Sequence, residues 1–304
     1  MNFEKKSKLA QDLRFIRAQR KKHKANRAGT KKARRLEKHM NFKEDKIMTK
    51  RVALVTGARV GLGQETAVEL AKLGHDVALV ARNACTETEE RIANEAPGAK
   101  AISYQCDIRD PKQVQEMAAK VRADLGDVEI LINNAGIYPF ILFEELDYDA
   151  WKNYFATNVD GPYNCCQAFL PAMREKGWGR VVSISSDAFM NGQEPKLAGY
   201  ISTKGAVIGL TRALASEYGP YGVTVNSVAP GLFVCDQTIS NIGGAPGEIP
   251  EGEFNKWDLM IGLQSIKKYP YPSDFTGAIK FLVSEEAGFM TGQTMVVDGG
   301  IARV

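Results

Sequence analysis

Seven short apolar runs recur along the chain after residue 48, most of them separated by stretches of helical length. The first is Arg51-Val52-Ala53-Leu54-Val55, and a helical pattern follows it as far as Gly74. The later runs are 77–80, 101–104, 130–132, 181–184, 223–228 and 294–297. Strands that lack polar alternation are buried on both faces, as in a parallel sheet covered by helices. We therefore predict an α/β protein with a single doubly wound parallel sheet and helices on both faces.

Residues 1–47 differ from the rest of the chain in charge and hydropathy. They hold 17 Lys and Arg against 5 Asp and Glu, a net charge of +12, whereas residues 48–304 hold 23 against 31, a net charge of −8. A basic segment nearly devoid of aromatic and β-branched residues cannot bury a core, so a disordered or partly helical extension is predicted. Either this extension attaches to nucleic acid or anionic lipid, or translation naturally begins at Met48.

Residues 48–304 contain no internal repeat and no Pro/Ser-rich linker, so we predict one domain with a mobile loop at about 233–268. Its acidic balance disfavours a basic nucleic-acid-binding globule. The chain lacks the run of roughly 20 apolar residues that spans a bilayer. Its five cysteines include no C-x-x-C pair, so neither a metal site nor a disulfide framework is predicted. We expect a cytoplasmic protein that needs neither nucleic acid nor membrane for its activity.

A glycine-rich turn, Thr56-Gly57-Ala58-Arg59-Val60-Gly61-Leu62-Gly63, lies between the first predicted strand and the first predicted helix. Glycines let the backbone approach a phosphate closely, and a helix N-terminus offers it free N–H groups. The turn therefore predicts a dinucleotide site. The candidate cofactor-binding residues here are Thr56, Gly57, Arg59, Gly61, Leu62 and Gly63.

The second predicted strand ends in Val80-Ala81-Arg82-Asn83, without a carboxylate. An acidic residue there would accept a hydrogen bond from the ribose 2′-hydroxyl of NAD, whereas Arg82 can pair with the 2′-phosphate of NADP. Because Arg59 can add a second cation, NADP(H) is expected in preference to NAD(H). Asp107, beside Ile108 after the third run, either accepts from the adenine amino group or caps the helix that begins at Pro111.

Tyr200 and Lys204 stand four residues apart in a long helical pattern, so their side chains share one face. A phenol with a reference pKa of about 10 is a poor proton shuttle at neutral pH, and a neighbouring ammonium lowers that pKa. Tyr200 is therefore a candidate general acid/base, with Lys204 lowering its pKa and bonding the nicotinamide ribose.

Three further polar positions accompany this pair. The strand Val181–Ile184 leads into Ser185 and Ser186, where a hydroxyl can hydrogen-bond a reacting carbonyl oxygen. The segment 133–136, Asn-Asn-Ala-Gly, ends another strand at the sheet edge where open α/β folds bind ligands. Asn158 lies among apolar neighbours and either holds a water in a proton path or satisfies a backbone group.

Several motifs occur in a fixed order from about residue 50 to residue 301. They are Thr56 to Gly63, Asn133 to Gly136, Asn158-Val159, Ser186, Tyr200 with Lys204, Asn226 with Pro230-Gly231, Thr291-Gly292-Gln293 and Val297-Asp298-Gly299-Gly300. Together they resemble the short-chain dehydrogenase/reductase family. The resemblance implies a Rossmann-type sheet and reversible hydride transfer between a nicotinamide and the carbonyl carbon of a ketone, the partner being a small carbonyl or alcohol substrate.

The resemblance also assigns roles to single residues. It makes Tyr200 the acid/base, Lys204 the group that adjusts its pKa, Ser186 the anchor of the carbonyl oxygen and Asn158 a member of the proton relay. It places two short segments along the cofactor, namely Asn134, Ala135 and Gly136 on the adenosine side, and Pro230 and Gly231 near the nicotinamide.

The chain departs from the family pattern at three places. Ser186 lies one residue further from Tyr200 than is usual, which leaves Ser185 as an alternative. Cys235 replaces a Thr that bonds the carboxamide in many members. Segments such as 137–139, 177–180 and 211–216 resemble alcohol dehydrogenases that act on 1-phenylethanol. Those enzymes, however, carry an acid where this chain has Arg82, and they use NAD.

The apolar residues of the loop 233–268 are expected either to close the substrate pocket or to pack on the core, namely Phe254, Trp257, Leu259, Met260, Ile261 and Leu263. Four residues are expected on the other walls and suggest an apolar or aromatic ketone: Tyr138, Phe140, Phe189 and Met190. The first alternative function is a 3-oxoacyl-thioester reductase, with a Lys or Arg at the mouth of the site for a phosphopantetheine phosphate. The second is a non-catalytic dinucleotide-binding regulator that acts through the basic extension, although the four candidate catalytic residues argue against it. The resemblance implies a homo-oligomer, a tetramer or dimer.

Overall fold

A seven-stranded parallel sheet forms the centre of the computed structural model, which describes residues 49–192, 195–248 and 255–302. The strands are β1 (Val52–Thr56), β2 (Asp76–Ala81), β3 (Ala101–Gln105), β4 (Val128–Asn133), β5 (Gly179–Ile184), β6 (Val223–Pro230) and β7 (Thr294–Val297). Their order across the sheet is β3-β2-β1-β4-β5-β6-β7, and every neighbouring pair is parallel. All seven predicted runs are strands, and the predicted fold class is confirmed.

Helices cover both faces of this sheet. They are α1 (Gly61–Lys72), α2 (Thr86–Glu95), α3 (Pro111–Asp124), α4 (Tyr148–Phe155), α5 (Gly161–Lys176), α6 (Ala188–Asn191), α7 (Ala198–Tyr218), α8 (Asp236–Ile242), α9 (Lys256–Leu263) and α10 (Pro272–Val283). A π-helical turn at Ala156–Asp160 joins α4 to α5. None of the helices in these described ranges is long and apolar enough to cross a membrane.

Two hydrophobic layers arise from the alternation of side chains along each strand. Val55 packs with α1, α2 and α10 on one face, and Leu54 packs with α3, α5 and α7 on the other. Because both layers exclude water, the central strands carry apolar residues at nearly every position. This double burial produces the continuous apolar runs of the sequence.

Asp110 caps α3, with Oδ1 accepting hydrogen bonds from the backbone N–H of Lys112 at 2.9 Å and of Gln113 at 3.4 Å. The alternative in which Asp107 caps this helix is therefore wrong. Asp107 lies three residues earlier and binds Arg109 instead. A cap must stand directly before the first helical residue, which here is Pro111.

The carboxyl ends of β1, β4, β5 and β6 meet at one edge of the sheet. The strand order reverses between β1 and β4, so the crossover helices leave in opposite directions and a crevice opens between them. The glycine turn, the 133–136 segment, Ser186 and Pro230 all follow strand ends at this edge. The predicted extension 1–47 lies outside the described residues.

Candidate active site

A cavity of about 600 Å³ lies at this carboxyl edge. Its walls hold most of the residues that the motifs single out: Gly57, Arg59, Gly61, Leu62, Gly63, Arg82, Asp107, Ile108, Asn134, Ala135, Gly136, Ser186, Tyr200, Lys204, Pro230 and Gly231. Thr56 and Asn158 lie behind this wall and support it. Residues that lie far apart in the chain are thus brought to one site.

The glycine turn between β1 and α1 is specified by close backbone packing. Gly57 and Gly61 have φ angles of +68° and +62°, which side chains rarely adopt. A Cβ atom on Gly63 would overlap the carbonyl oxygen of Gly57 and the side-chain amide of Asn134. The turn therefore leaves backbone exposed to the cavity at the N-terminus of α1, as a pyrophosphate site requires.

Asn134 ties the end of β4 to the end of β1. Its Nδ2 donates to the carbonyl oxygens of Thr56 at 3.0 Å and Gly57 at 3.3 Å. In return, Thr56 Oγ1 accepts hydrogen bonds from the backbone N–H of Asn134 at 3.0 Å and Ala135 at 3.1 Å. These four bonds hold the glycine turn at its position, so Thr56 and Asn134 shape the site from behind.

Two exposed arginines, Arg59 and Arg82, line the cavity next to the end of β2. The neighbouring acid, Asp107, is held by the guanidinium of Arg109, with contacts of 2.9, 3.0 and 2.5 Å. That hydrogen-bonded pair lowers the pKa of Asp107. Because the Asp107 carboxylate is already paired with Arg109, it does not compete for Arg59 and Arg82. These two basic side chains are therefore suited to binding an additional phosphate.

Tyr200 and Lys204 project from the first turns of α7 into the cavity, and the ammonium lies 5.4 Å from the centroid of the phenol ring. Lys204 Nζ donates a hydrogen bond of 2.7 Å to the carbonyl oxygen of Ile184 at the end of β5. A Cβ on Gly136 would lie 3.5 Å from that ammonium and 3.3 Å from Asn158 Oδ1. The glycine thus leaves room beside both groups.

Burial shifts the pKa values of this pair in opposite directions. Desolvation raises the pKa of Tyr200 to about 12, although its hydrogen bond with Ser186 acts to lower it and the charge of Asp187 raises it further. Desolvation lowers the pKa of Lys204 to about 8. Burial of the phenol thus sets the direction of this shift, and the role of Lys204 in lowering the Tyr200 pKa stays a prediction.

The two serines after β5 have different partners. Ser186 hydrogen-bonds the phenol of Tyr200 and its Oγ accepts from the backbone N–H of Ala188 at 3.2 Å. Ser185 Oγ instead donates to the backbone carbonyl of Lys204 at 3.2 Å. The geometry directs Ser186 towards the reacting position and Ser185 towards the backbone of α7.

Asn158 occupies the π-helical turn and is 1% exposed. Its Oδ1 accepts from the backbone N–H of Ile137 at 2.8 Å, and its Nδ2 donates to the Ile137 carbonyl at 2.9 Å and to Thr203 Oγ1 at 3.0 Å. Asn158 thus satisfies backbone groups, which was one of its two expected roles, and fixes the loop before Tyr138 against α7.

Fewer of the apolar residues of the loop 233–268 line the cavity than the sequence analysis expects. Met260 lines the cavity, but Trp257 is buried and its Nε1 donates to the Gly244 carbonyl at 2.9 Å, while Leu259 and Leu263 are about half exposed. Phe254 lies outside the described residues. On the opposite walls Tyr138 and Phe140 are present.

Phe189 and Met190 are not among the described cavity walls, so that expectation is wrong. The short helix α6 turns Phe189 towards α7, where a Cβ on Gly205 would lie 2.6 Å from its ring. Cys235 does line the cavity, and its Sγ lies 3.5 Å from Thr238 Oγ1.

Sequence reasoning missed several residues of the cavity, and two of them are charged groups near the proposed substrate site. Asp187 follows Ser186 directly, and Lys256 lies beside the ring of Phe140, with its ammonium 4.8 Å from the centroid. The acid next to a strand-end serine was a usable signal, whereas the position of Lys256 depends on how α9 packs. In the described ranges no group of three His, Cys, Asp or Glu side chains is arranged to hold a metal ion.

Known proteins resemble the chain over nearly all of residues 49–302. The short chain dehydrogenase family matches residues 51–241. Nodulation protein G of Azospirillum brasilense is 37% identical over 261 residues, which are 84% of this chain and 99% of that protein. The 3-oxoacyl-(acyl-carrier-protein) reductase FabG of Staphylococcus aureus strain N315 is 34% identical over 251 residues, 82% of this chain and 97% of that one. The solved structure of ElxO with NADP bound superposes with a TM-score of 0.72 at 31% identity, covering 83% of this chain and 99% of ElxO.

Gly63→Ala is expected to destabilise the fold by at least about 1 kcal/mol and to weaken NADPH binding, because the new methyl group overlaps the Gly57 carbonyl and the Asn134 amide. Gly262→Ala is the matched control, since no atom lies within 4 Å of a Cβ there and helix α9 gains an alanine. Urea unfolding and NADPH fluorescence titration measure both effects. Equal behaviour of the two variants would show that the packing at Gly63 does not matter.

Lys204→Met is expected to alter the pH dependence of stability. The folded pKa of Lys204, about 8, lies below its ordinary value of 10.5, so burial of the charge destabilises wild type below pH 8 and this penalty fades as pH rises towards 10.5. Between pH 7 and pH 10 the wild type should therefore gain about 2 kcal/mol of unfolding free energy relative to the variant. Urea unfolding at both pH values measures this, and the exposed Lys120→Met provides the control. Parallel curves for wild type and Lys204→Met would contradict the assignment.

Proposed function

The chain belongs to the short-chain dehydrogenase family and is an oxidoreductase acting on carbonyl or alcohol groups, and we propose that it interconverts a ketone and a secondary alcohol with NADP(H) as its preferred cofactor. One observation carries the proposal: Ser186, Tyr200 and Lys204 line the same cavity as the glycine turn. A proton donor, an anchor for a carbonyl oxygen and a phosphate-binding backbone thus share one space.

The cavity fits a nicotinamide dinucleotide. The glycines at 57, 61 and 63 let the backbone of the turn approach closely where a pyrophosphate would lie, and a Cβ on Gly63 would disturb the turn by overlapping the Gly57 carbonyl oxygen. All of the residues expected along the rest of the cofactor line this cavity: Asp107, Ile108, Asn134, Ala135 and Gly136 for the adenosine side, and Pro230 with Gly231 for the nicotinamide. When bound, the nicotinamide supplies the hydride in reduction and accepts it in oxidation.

Ser186 and Tyr200 bind the substrate oxygen in the proposed mechanism. Their hydroxyl groups already hydrogen-bond each other, so an oxygen placed between them can accept from both. In reduction, the Tyr200 phenol gives its proton to this oxygen, while Ser186 stabilises the charge that develops on it. A phenol with a pKa of about 12 is fully protonated at neutral pH and is ready to donate.

Lys204 restores the proton to Tyr200. Its pKa of about 8 means that the ammonium can release a proton near neutral pH, and its cation favours the phenolate left behind. Asn158 and Thr203 fix the position of the first turns of α7, since Thr203 Oγ1 donates to the carbonyl oxygen of Tyr200 at 2.6 Å. In alcohol oxidation the same groups act in the reverse order.

The preference for NADP(H) follows from the charges at the end of β2. Arg82 stands where an acid would bind a ribose 2′-hydroxyl, and Arg59 lines the same cavity. Two cations favour a 2′-phosphate through charge-assisted hydrogen bonds. The relative ElxO, whose solved structure contains NADP, is consistent with this preference.

A 3-oxoacyl thioester is the second candidate substrate. Lys256 lies in the cavity wall beside Phe140, where a cation can meet a phosphopantetheine phosphate, and the Staphylococcus relative is named as such a reductase. Acetoacetyl-CoA belongs in the same assay as the simple ketones. A much higher kcat/KM for the thioester would favour this second function.

We further propose a homo-oligomer, a tetramer or dimer, that works in the cytoplasm without nucleic acid or membrane. The exposed apolar side chains Phe281 and Phe289 near the C-terminal end suit a contact between copies. All five cysteines are free thiols, which suits a reducing compartment.

Tyr200→Phe is expected to lower NADPH-dependent ketone reduction by about 10² to 10⁴-fold, because the proton donor is lost. NADPH binding should stay within a few-fold of wild type, since the ring remains and the glycine turn is untouched. Absorbance of NADPH during turnover and fluorescence titration of the cofactor separate the two quantities. Wild-type turnover in the variant would remove Tyr200 from the mechanism.

Arg82→Asp is expected to shift the ratio of kcat/KM for NADPH over NADH towards NADH by roughly 10- to 100-fold, because an acid repels the 2′-phosphate and accepts from the 2′-hydroxyl. Arg122→Asp on α3, where the guanidinium is 66% exposed and distant from the cavity, is the control. An unchanged cofactor ratio in Arg82→Asp would contradict the contact with the phosphate.

A further inference from the structure

Asp187 places a buried carboxylate in the wall of the cavity, directly after Ser186. Asp187 is 8% exposed and lines the same cavity as Tyr200. Oδ1 lies 3.5 Å from Ser186 Oγ. Oδ2 lies near Gly231, because a Cβ atom placed on that glycine would be 3.5 Å from it. The acid therefore lies between the proposed anchor of the carbonyl oxygen and the proposed nicotinamide end of the site.

Asp187 has hydrogen-bond donors around it but, within the part of the chain that the structure describes, no cationic partner. It precedes α6, and its carboxylate accepts from the Ser186 hydroxyl at 3.5 Å and from the backbone N–H groups of Ala188 and of Asp187 itself. Among residues 49–192, 195–248 and 255–302 no Lys or Arg forms a salt bridge with it. Asp298, on the other side of Gly231, differs: its carboxylate accepts from the backbone N–H of Gly300 at 2.8 Å and Ala302 at 2.6 Å.

A buried carboxyl group without a charged partner is costly to maintain. Burial and the charge of Asp298 raise the pKa of Asp187 to about 7. The cavity also has apolar and aromatic walls, including Tyr138, Phe140, Leu197 and Met260. A single strong acceptor among such walls is the arrangement expected where a pocket orients a ligand through one polar group.

We propose that Asp187 determines substrate specificity by accepting a hydrogen bond from a hydroxyl on the carbon next to the reacting carbonyl, so that the preferred substrates are α-hydroxy ketones and the corresponding vicinal diols. This inference rests on the proposed carbonyl chemistry of Ser186 and Tyr200. While those two hydroxyls hold the reacting oxygen, the carboxylate beside Ser186 reaches a substituent on the adjacent carbon. The aromatic walls bind the apolar remainder of the substrate.

A hydroxyl group fits this position better than an ammonium group. Lys204 already places one cation in the same cavity, and a second cation would be repelled by it. Because the carboxyl group of Asp187 is partly protonated near neutral pH, it can also donate a hydrogen bond. A hydroxyl oxygen can accept that hydrogen bond, whereas an ammonium group has no acceptor atom.

The test compares 2-hydroxyacetophenone with propiophenone, in which a methyl group replaces the hydroxyl. With NADPH, wild type is expected to show a kcat/KM roughly 10- to 100-fold higher for the hydroxy ketone. The second readout is the dissociation constant of each ketone for the enzyme loaded with NADP⁺, where no reduction occurs. It should favour the hydroxy ketone in the same direction.

Asp187→Val, which removes the carboxyl group and leaves an apolar side chain, is expected to lose this preference by roughly 10- to 100-fold in the ratio of the two ketones. Asp149→Asn, whose side chain is 88% exposed, is the control and should keep the wild-type ratio. The two wild-type comparisons, the ratio of kcat/KM and the ratio of dissociation constants for the two ketones, still test the inference if the Asp187 variant fails to fold.

Equal or better use of propiophenone by wild type would overturn the inference while supporting ketone reduction. An unchanged ratio in folded Asp187→Val, or a preference for 2-aminoacetophenone over the hydroxy ketone, would also overturn it. Failure of every ketone, with NADPH bound, would instead contradict the proposed function on which the inference rests.

Discussion

The joining of β1 to β4 is the constraint on which the site depends. The strand order reverses there, and four hydrogen bonds of 3.0 to 3.3 Å join Thr56 and Gly57 to Asn134 and Ala135 across the junction. These bonds bring the backbone of the glycine turn against Asn134, which is why no Cβ fits at Gly63. An open parallel sheet has a crevice only at such a reversal, so the cavity could form nowhere else along the edge.

Burial of polar groups is the cost of this arrangement. The ammonium of Lys204 and the carboxyl group of Asp187 are both held in the cavity wall, and desolvation moves each pKa towards neutrality. The same burial raises the pKa of the Tyr200 phenol. Groups that exchange protons near pH 7 suit acid/base work, and active sites commonly accept a loss of stability to obtain them.

Local charge, not net charge, prepares the proposed phosphate site. The residues after 47 carry a net charge of −8, which repels an anionic cofactor at long range. Arg59 and Arg82 nevertheless both line the cavity, and Asp107, an acid of the same cavity, is paired with Arg109. At contact distances the charges of these two arginines outweigh the net charge of the domain, because salt screens distant charges.

The sequence by itself determined the seven strands, the parallel sheet and the position of the glycine turn, because continuous apolar runs and glycine spacing are local properties of a doubly covered sheet. It also indicated Ser186, Tyr200 and Lys204, whose spacing brings them to one edge of the sheet. Only the tertiary structure decided that Asp110 caps α3, that Phe189 turns away from the cavity and that burial raises the Tyr200 pKa. It alone revealed the buried acid at Asp187, because folding creates both the burial of this group and its proximity to the charge of Asp298, more than a hundred residues away in the chain.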